Sequence, residues 1–490
     1  MTYALHTSLL ARFADRLTPV RTTFVASLLL SLIAWFGSAV NRDGMLYVRA
    51  AHAFLDGGFT AAREIFNWPF LPIVMGIVSK ISGLSPETSG YLLNALFMAG
   101  ACALMVACIE RRQRDLAWAA CLTVLALPGL NEYRNELLRE YGCWFFVMLS
   151  FWLAQRCSDR PRWPGALAVQ ATLGVAALFR PEAAALFAAL IAWQWFDAPR
   201  EERWRRLMMF GLLPLAGAVV LVVLFLGGKL ETGSRLWLEL NRISTARFDA
   251  KAQALAPALI EYARDQARAI LFFGSLALVP LKLIQKFGLF LLPLILFLAN
   301  RELRAASKPH GLFAFGIVAH VLVLGIFVLD LQFLAGRYVG LVLLFSTPFA
   351  AAGLLALIRR FPRWRFVVIA LAIALMAGNV VSTGPGKTHF VEAGRWLAGH
   401  SIDSRKVYID SGRTAYHAGW QSTVVAVRNN RPGIEQAIAT GNYEIFVLEL
   451  SRKDPPVDDW LQQAGLRVIQ RFELPDRDAV LVAEPIRKQP

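Results

Sequence analysis

Charged residues are scarce in this chain. They make up 18% of its 490 residues, whereas hydrophobic residues make up 56%, and the mean hydropathy is +0.48. A water-soluble domain could not bury so much apolar surface, but a lipid bilayer accepts it. The composition therefore excludes an ordinary soluble protein. Apolar stretches of about 17 to 25 residues, separated by short arginine-rich loops, predict a polytopic α-helical membrane protein instead.

Cysteine and histidine are also rare. All five cysteines fall in or beside apolar stretches, at Cys102, Cys108, Cys121, Cys143 and Cys157. This placement predicts no disulfide framework and no thiolate metal site. His52 stands near several acids, but one histidine with scattered carboxylates is a weak metal signal. The sequence thus predicts no definite cofactor, and it leaves open a divalent metal.

Acidic residues are fewer than basic ones, and the formal net charge is +16. Such a charge would suggest nucleic acid in a soluble protein, but here most arginines lie in short loops between apolar stretches. No nucleic-acid-binding motif is visible, so we expect membrane lipids and no nucleic acid as partners. By the positive-inside rule the N-terminus is cytoplasmic. The organisation is typical of a bacterial inner-membrane protein whose outer side is periplasmic.

The hydropathy pattern divides the chain in two. Residues 1–383 read as a transmembrane domain with about eleven spans and outer loops at 41–89 and 228–269. Residues 68–82 are apolar but short and contain two prolines, so we expect an interfacial or re-entrant helix there, on the outer side. From residue 384 onward helical and strand-like stretches alternate, which predicts a small extracytoplasmic α/β domain at 384–490.

One polar stretch, residues 41–70, follows the first apolar span directly. It contains Asp43, Asp56 and Glu64. Carboxylates at the edge of a membrane span are costly to keep there, so they are usually functional. Asp56 lies in an Asp-Gly-Gly turn sequence, which favours a structural role. Glu64 is equally compatible with a second site carboxylate and with a surface helix acid. Asp43 is the strongest candidate, against the alternative of a helix cap or a solvated loop acid.

Three short motifs lie beside the apolar spans. They are Asp43-Gly44-Met45-Leu46-Tyr47 after span one, Asn67-Trp68-Pro69-Phe70-Leu71-Pro72 downstream of it, and Gly336-Arg337-Tyr338 at the end of a late span. With these motifs the chain resembles the GT-C glycosyltransferases, in particular the lipid A aminoarabinose transferase and protein O-mannosyltransferase type. The first motif fits the setting of that family's catalytic aspartate, the second loosely matches its His-Pro-Pro-Leu element, and the third resembles its Arg-Tyr motif.

This resemblance implies an activity. Such enzymes transfer a sugar, with inversion, from a polyprenyl-phosphate donor to a lipid, glycan or protein acceptor outside the cytoplasm. Asp43 would be the catalytic base, with Glu64 and Asp56 as candidates for a second carboxylate. Tyr47, Trp68 and Tyr338 would line the substrate-binding site.

The departing phosphate needs cations, and arginine binds phosphate oxygens with two parallel hydrogen bonds. The outward-facing candidates for donor phosphate binding are Arg337, Arg134, Arg139, Arg180, Lys229 and Arg242. Arg180 lies between two apolar spans, where a charge needs a partner or a ligand. For the other five an alternative stays open. Arg337 could be an interfacial residue, Arg134 and Arg139 could pair with glutamates of their own turn, and the cations of the long loop could bind lipid headgroups.

Two other functions compete with the transferase. A transporter or flippase of lipid-linked sugars would show internal repeats and broken helices with charges at mid-membrane. No convincing repeat is visible, and the charges cluster on one side, which favours an enzyme. A silent membrane scaffold would give Asp43 and Arg337 no purpose.

Overall fold

The structure is a computed structural model that describes residues 17–36, 38–229, 235–381, 387–400, 402–420, 425–428, 430–451, 454, 457–475 and 478–486. Helices account for nearly all regular structure up to residue 380, and a small sheet with helices follows. The predicted domain boundary at residues 383 and 384 lies outside the described residues.

The helices before residue 381 include fifteen of nine residues or more, which we number α1 to α15. They are α1 (Pro19–Trp35), α2 (Arg42–Ile65), α3 (Phe70–Ser82), α4 (Pro86–Arg112), α5 (Ala117–Ala126), α6 (Glu140–Asp159), α7 (Trp163–Phe179), α8 (Leu186–Asp197), α9 (Arg203–Leu226), α10 (Thr245–Leu255), α11 (Ala267–Phe287), α12 (Leu291–Ala299), α13 (Gly311–Leu331), α14 (Gly340–Arg360) and α15 (Arg365–Val380). Short helical turns occur at Pro128–Asn131, Arg235–Leu240 and Arg301–Ala306.

Several helix starts follow from local sequence. The hydroxyl of Thr18 accepts a hydrogen bond from the Arg21 amide at the start of α1, and Ser85 does the same for Thr88 at the start of α4. In both helices a proline follows the capping residue, where its missing N–H costs nothing. These caps fix where the chain turns into each apolar helix.

The polytopic membrane fold is confirmed. Six apolar stretches in the described residues are long enough to cross a bilayer, by length and composition. They are Pro86–Arg112, Arg200–Leu226, Glu261–Ala299, Lys308–Leu331, Gly336–Arg360 and Pro362–Val380. Three shorter apolar helices accompany them. The number of about eleven spans stays a prediction.

The two segments predicted as outer loops contain helices. Most of residues 41–89 forms α2 and α3, and α10 lies within residues 228–269. One face of α2 is buried, with Tyr47 and Val48 among its contacts to the helical core, while its other face is polar. An amphipathic sequence of this kind folds on an apolar surface instead of crossing a bilayer. Gly58, at φ 72°, kinks α2 near its end.

The interior of the membrane part is packed with aromatic and small side chains. Phe151 of α6 stacks on Phe345 of α14, with ring centroids 5.0 Å apart. At the start of α14 a Cβ on Gly340 would come within 2.0 Å of the Trp144 ring, so the two helices approach closely only because this residue is glycine. Small residues allow such close helix contacts in membranes. The fixed helix ends then set the positions of the polar side chains between them.

In the described residues of the C-terminal part the strands are β1 (Val407–Ile409), β2 (Ile445–Leu450), β3 (Leu466–Glu473) and β4 (Ala479–Pro485). The helices described there are α16 (Thr388–Gly399), α17 (Gly412–His417), α18 (Arg431–Thr440) and α19 (Asp458–Gln463). The strand order is β1-β2-β4-β3, where β1 and β2 are parallel and the other pairs are antiparallel.

The small C-terminal sheet predicted from the sequence is therefore present. One detail differs, because the β-rich sequence at residues 423–427 predicts a strand. Residues 423 and 424 lie outside the described residues, and residues 425–427 are not a strand. The Ala426 amide donates to the Ile409 carbonyl at 2.8 Å, so the described part of this segment contacts β1 through a ladder-like hydrogen bond.

Candidate active site

The candidate site begins at the start of α2, where Asp43 lies in the first helical turn. Asn41 lies directly before α2, and its side-chain oxygen accepts a hydrogen bond from the Leu137 amide at 2.9 Å. A Cβ on Gly44 would lie 3.0 Å from the Leu137 Cβ, so glycine lets α2 approach this turn. The start of α2 is thereby fixed against the polar turn before α6.

Arg337 occupies a 3-10 turn, Gly336–Val339, directly before α14. Its Nη2 lies 2.6 Å from Asp43 Oδ2 and its Nε lies 3.3 Å from Glu140 Oε1. Its Nη1 is 3.9 Å from Glu136 Oε2, which is longer than a hydrogen bond. One guanidinium thus faces three carboxylates from two separate segments.

Arg180 is the second arginine of the cluster and follows the last residue of α7. Its Nη1 donates to Glu140 Oε1 at 2.6 Å, and its Nη2 donates to Glu182 Oε1 at 2.8 Å. Burial alone would raise the pKa of Glu182, but the adjacent Arg180 outweighs it and lowers that pKa below the usual range. The charge of Arg180 is therefore paired with Glu140 and Glu182, as a charge between apolar helices requires.

Glu140 joins the two arginines. Its side chain is only 4% exposed, and its Oε1 contacts both Arg180 and Arg337. Tyr338 lies between the same two arginines, whose Cζ atoms are 4.6 Å and 5.5 Å from the ring centroid. We call Asp43, Glu140, Arg180 and Arg337 the charged cluster.

Other predicted residues border the charged cluster. Tyr47 is buried, and its ring centroid lies 5.4 Å from that of Phe66. Arg139 stacks its guanidinium over the same Phe66 ring at 5.6 Å. Its Nη1 is buried without a hydrogen-bond partner among the residues that the structure describes. Trp68 donates its Nε1 hydrogen to the Leu178 carbonyl at 2.6 Å, which ties residues 66–70 to the end of α7.

Arg134 has a different environment. Its side chain is buried and donates to Asn131 Oδ1, to the Ser27 carbonyl at 2.9 Å and to Ser31 Oγ at 2.7 Å. These partners hold the turn before α6 against α1. Because the hydrogen bonds direct the guanidinium into the helical interior, we leave Arg134 out of the proposed site.

The remaining candidates lie outside the charged cluster. Asp56 and Glu64 are exposed on the later part of α2, and His52 is half-buried on the same helix. Lys229 is exposed just after α9. None of these four makes an ion pair with another described residue in the structure. Their predicted roles stay predictions.

Arg242 lies beside a neighbouring space. It lines a cavity of about 190 Å³ together with Glu182 and Phe327, and these last two also border the small cavity of the charged cluster. Its guanidinium lies over the Phe327 ring at 4.7 Å, and its Nε is 3.0 Å from Glu239 Oε2. Arg242 is thus separated from the charged cluster by Phe327 and Glu182.

A divalent metal finds no obvious ligands. Within the described ranges, no three His, Cys, Asp or Glu side chains are grouped so that they could hold an ion. The carboxylates of the charged cluster each face an arginine instead. These residues do not fit a metal, and no step below depends on one.

Two carboxylates at the site were not predicted as site residues. Glu136 lies in the charged turn before α6 and Glu140 is the first residue of α6, a stretch where the sequence indicates pairing with nearby arginines. Burial raises the pKa of Glu136 above the usual range, although Arg337 opposes this effect. The signal that could have identified Glu140 is its position as an acid at the start of the apolar helix α6.

Comparison with solved structures identifies the fold. ArnT from Cupriavidus metallidurans, in the apo state, has a TM-score of 0.54 at 13% sequence identity, and the match covers 94% of this chain and 97% of ArnT. Arabinofuranosyltransferase AftD from Mycobacteria has a TM-score of 0.51 at 13% identity, over 96% of this chain and 40% of AftD.

The sequence comparisons add no relative. No protein-family model matches this chain, and no curated protein matches it. ArnT and AftD are both members of the GT-C superfamily, so the resemblance stated from the motifs is confirmed at the level of the fold. The chain therefore has the fold of the GT-C membrane glycosyltransferases.

Proposed function

We propose that the protein is a membrane glycosyltransferase that moves a sugar from a polyprenyl-phosphate donor to a lipid, glycan or protein acceptor on the periplasmic face. The observation that carries this proposal is the ion pair between Asp43 and Arg337, at 2.6 Å. It joins the two motifs that most resemble the family. The fold that the chain shares with an arabinofuranosyltransferase supports a transferase of this kind.

Asp43 is the proposed general base. Its side chain is about one-third exposed, so an acceptor hydroxyl can reach it, while Arg337 holds one carboxylate oxygen. Asp43 would take the hydroxyl proton as the acceptor oxygen bonds to the anomeric carbon. The bond between that carbon and the phosphate oxygen breaks in the same step, and polyprenyl phosphate leaves with the electron pair. A single displacement of this kind inverts the anomeric centre.

Arg337 is the proposed partner of the leaving phosphate. Its Nη2 faces Asp43 and its Nε faces Glu140, but its Nη1 makes no close hydrogen bond to Glu136. Nη1 is therefore available to a phosphate oxygen that approaches it, while the other two nitrogens keep their partners. Positive charge fixed at this point would stabilise the negative charge that develops on the phosphate.

Glu140 and Arg180 are proposed positioning residues. Glu140 and Glu182 hold Arg180. Because Glu140 also contacts Arg337, the position of Arg337 depends on that of Arg180. Tyr338 fills the space between the arginines. The geometry of Asp43 thus depends on buried pairs that are anchored in α6 and α7. Arg139 lies at the border of this arrangement, where it would contact a more distant part of the donor.

Transfer of radiolabelled sugar from polyprenyl-phosphate donors tests the proposal, in membranes that contain the full chain at matched expression. Asp43→Asn keeps the shape of the side chain but cannot accept the proton. We expect the wild type to transfer label from at least one donor and Asp43→Asn to lose about 100-fold or more of the rate. Asp56→Asn is the matched control, because Asp56 is exposed on the same helix.

Three results would contradict parts of the proposal. Equal rates in wild type and Asp43→Asn would place the base elsewhere. An equal loss in Asp56→Asn would mean that the effect comes from α2 as a whole and not from the charged cluster. Absence of transfer from every donor, together with movement of lipid-linked sugar across the membrane, would favour the transporter.

A further inference from the structure

A second charged cavity lies next to α13, at a distance from Asp43 and Glu140. Its volume is about 540 Å³, and it is bounded by α10, α11 and α13. We call it the basic cavity. Its lining residues include four cations and two carboxylates, namely Arg242, Arg247, Lys251, Arg268, Asp265 and Asp330. The residues that line it therefore carry a surplus of positive charge.

Asp330 is the carboxylate on which the cations converge. It is buried at the end of the apolar helix α13. Arg247 Nη2 lies 3.5 Å from Asp330 Oδ1, Lys251 Nζ lies 3.7 Å from the same oxygen, and Arg242 Nε lies 3.8 Å from Oδ2. All three distances exceed those of normal hydrogen bonds. The cations therefore surround the carboxylate without binding it closely.

Other carboxylates hold two of the cations at shorter distances. Arg242 Nε is 3.0 Å from Glu239 Oε2, and Arg268 Nε is 3.0 Å from Asp249 Oδ1. Arg247 and Lys251 have Asp330 as their acidic partner, and Lys251 also donates to the Asp330 carbonyl. These two side chains are the ones best placed to exchange Asp330 for an external anion.

Part of the lining of the basic cavity is apolar. Phe272 of α11 and Ile326 of α13 supply it, and both side chains are exposed on apolar helices. Phe273 and Leu322, on the same helices, are more than half exposed. Exposed apolar residues on such helices face hydrocarbon in a membrane. The cavity thus combines a cationic end with an apolar wall, as an amphiphile with an anionic head requires.

We infer that the basic cavity binds the phosphate headgroup of a membrane lipid, separate from the donor phosphate proposed at Arg337. Asp330 serves as the internal counter-ion that keeps Arg242, Arg247 and Lys251 together until the headgroup takes its place. Basic pockets beside membrane helices bind lipid headgroups in this way. The apolar wall favours a lipid over a soluble phosphate, because only a lipid fills both parts. This inference concerns binding, and it does not depend on sugar transfer.

A binding measurement on the purified full chain in neutral detergent tests the inference. The probes are short-chain phosphatidic acid, the corresponding diacylglycerol and inorganic phosphate, with bound lipid counted by native mass spectrometry. We expect phosphatidic acid to bind more tightly than either of the other probes. Arg247→Gln combined with Lys251→Gln should weaken its binding by about 10-fold or more, because two cations that attract the phosphate are lost.

Asp330→Asn gives the opposite prediction. Removal of the internal counter-ion should tighten phosphatidic acid binding several-fold, and a folding defect could not produce that sign. Arg363→Gln is the control, because it removes one exposed cation in the turn between α14 and α15. It should leave the affinity within about twofold of wild type, since a single exposed charge contributes little.

Distinct outcomes would overturn the inference. Equal affinity of wild type, the Arg247 and Lys251 double variant and Asp330→Asn would show that the lipid binds elsewhere. Inorganic phosphate that binds as tightly as phosphatidic acid would indicate an anion site without a lipid. Diacylglycerol that binds as tightly as phosphatidic acid would show that the headgroup charge plays no part.

Discussion

Asp43 Oδ2 and Arg337 Nη2 lie 2.6 Å apart, although the chain brings them together from the second helix and from the turn before α14. Arg337 does not depend on this partner alone, because Glu140 contacts its Nε and connects it to Arg180. The ion pair is therefore the exposed end of a chain of charges that becomes more buried toward Glu140. This gradient separates residues that can meet substrate from residues that hold them in position.

Replacement of Arg337 tests the exposed end of this chain. Arg337→Gln removes the charge that faces Asp43 and the proposed phosphate, so we expect transfer to fall by about 100-fold or more. Arg337→Lys should recover only part of the rate, because one ammonium cannot face three carboxylates as a planar guanidinium does. Single-turnover transfer from the donor identified for the wild type measures both effects.

Arg363→Gln is the control for Arg337, since it removes an exposed arginine in the turn after α14. Its rate should equal that of the wild type. Full recovery of the rate by Arg337→Lys would contradict the argument, because it would show that charge alone is sufficient at this position.

Replacement of Arg180 tests the buried end. Arg180→Gln leaves Glu140 and Glu182 without the cation that contacts both at 2.6 Å and 2.8 Å. A buried charge that loses its partner costs about 3 to 5 kcal/mol of stability. We expect a lower temperature of thermal inactivation in detergent, together with a loss of transfer. The double change Arg180→Gln with Glu182→Gln should restore part of the stability, because it removes one uncompensated charge.

A double variant that is less stable than Arg180→Gln alone would contradict this assignment. It would show that Glu182 stabilises the fold through contacts other than its pair with Arg180. With Glu182→Gln also measured alone, the four proteins form a double-mutant cycle, which separates the pair from the general cost of changing two buried residues.

Hydropathy and short motifs predicted the membrane fold, the C-terminal sheet and the candidates Asp43 and Arg337, because these depend on local sequence. They did not predict which helix ends meet. That depends on how helices distant in sequence pack, as in the close approach of Gly340 to Trp144. The role of Glu140 follows from such packing. Its partner Arg180 follows the end of α7, and its partner Arg337 lies in the turn between α13 and α14.

Arg134 is a second residue whose environment depends on helix packing that the sequence did not predict. In sequence it belongs to a charged turn with Arg139, and the two looked alike. In the structure Ser27 and Ser31, one helical turn apart on α1, bind its guanidinium in the interior. Two serines four residues apart lie on one helix face, so a polar partner for that face could have been expected. Which residue supplies it could not be read from the sequence.

The raised pKa of Glu136 predicts that the stability of the fold depends on pH. Burial raises its pKa in the folded protein, while Arg337 opposes the shift. An acid with a raised folded pKa binds its proton more tightly in the folded state than in the unfolded state. It therefore destabilises the fold increasingly as the pH rises from the ordinary value of glutamate, about 4.3, through the raised value. At a pH above the raised pKa of Glu136, Glu136→Gln should be more stable than the wild type. Its stability should also lack the decrease with rising pH that Glu136 causes.

Thermal inactivation of wild type and Glu136→Gln across the acidic to neutral range measures this effect. Glu64→Gln is the control, because Glu64 is exposed on α2. Its profile should follow that of the wild type. A Glu136→Gln profile with an unchanged slope would show that the carboxylate is solvated enough to titrate normally.

Tyr416 connects the C-terminal part to the membrane helices. Its hydroxyl donates to Glu87 Oε2 at 2.5 Å, at the start of α4. A hydrogen bond to a charged group contributes about 1.5 to 3 kcal/mol. Tyr416→Phe removes only this bond, so we expect faster proteolysis of the C-terminal part. Tyr262→Phe, on a side chain that is 90% exposed, should be cleaved like the wild type. Equal cleavage of Tyr416→Phe would mean that other contacts hold this part in place.

Gly340 provides a test of the helix packing that positions Arg337. A Cβ added there would lie 2.0 Å from Cζ2 of Trp144, whose ring is buried and also packs against Tyr141. Because this ring has no room to move, Gly340→Ala must shift the start of α14. Overpacking of this kind costs about 1 to 3 kcal/mol. Transfer should also fall, since the shift moves Arg337 away from Asp43.

Gly378 offers a matched control for Gly340, because it lies in α15 and an added Cβ there meets nothing within 4 Å. Gly378→Ala should leave transfer unchanged and keep or slightly raise the temperature of thermal inactivation, since alanine favours a helix over glycine by about 1 kcal/mol. If Gly340→Ala behaves like Gly378→Ala, then α14 can move without effect on the ion pair. In that case the position of Arg337 depends on Glu140 and Asp43 and not on the contact with Trp144.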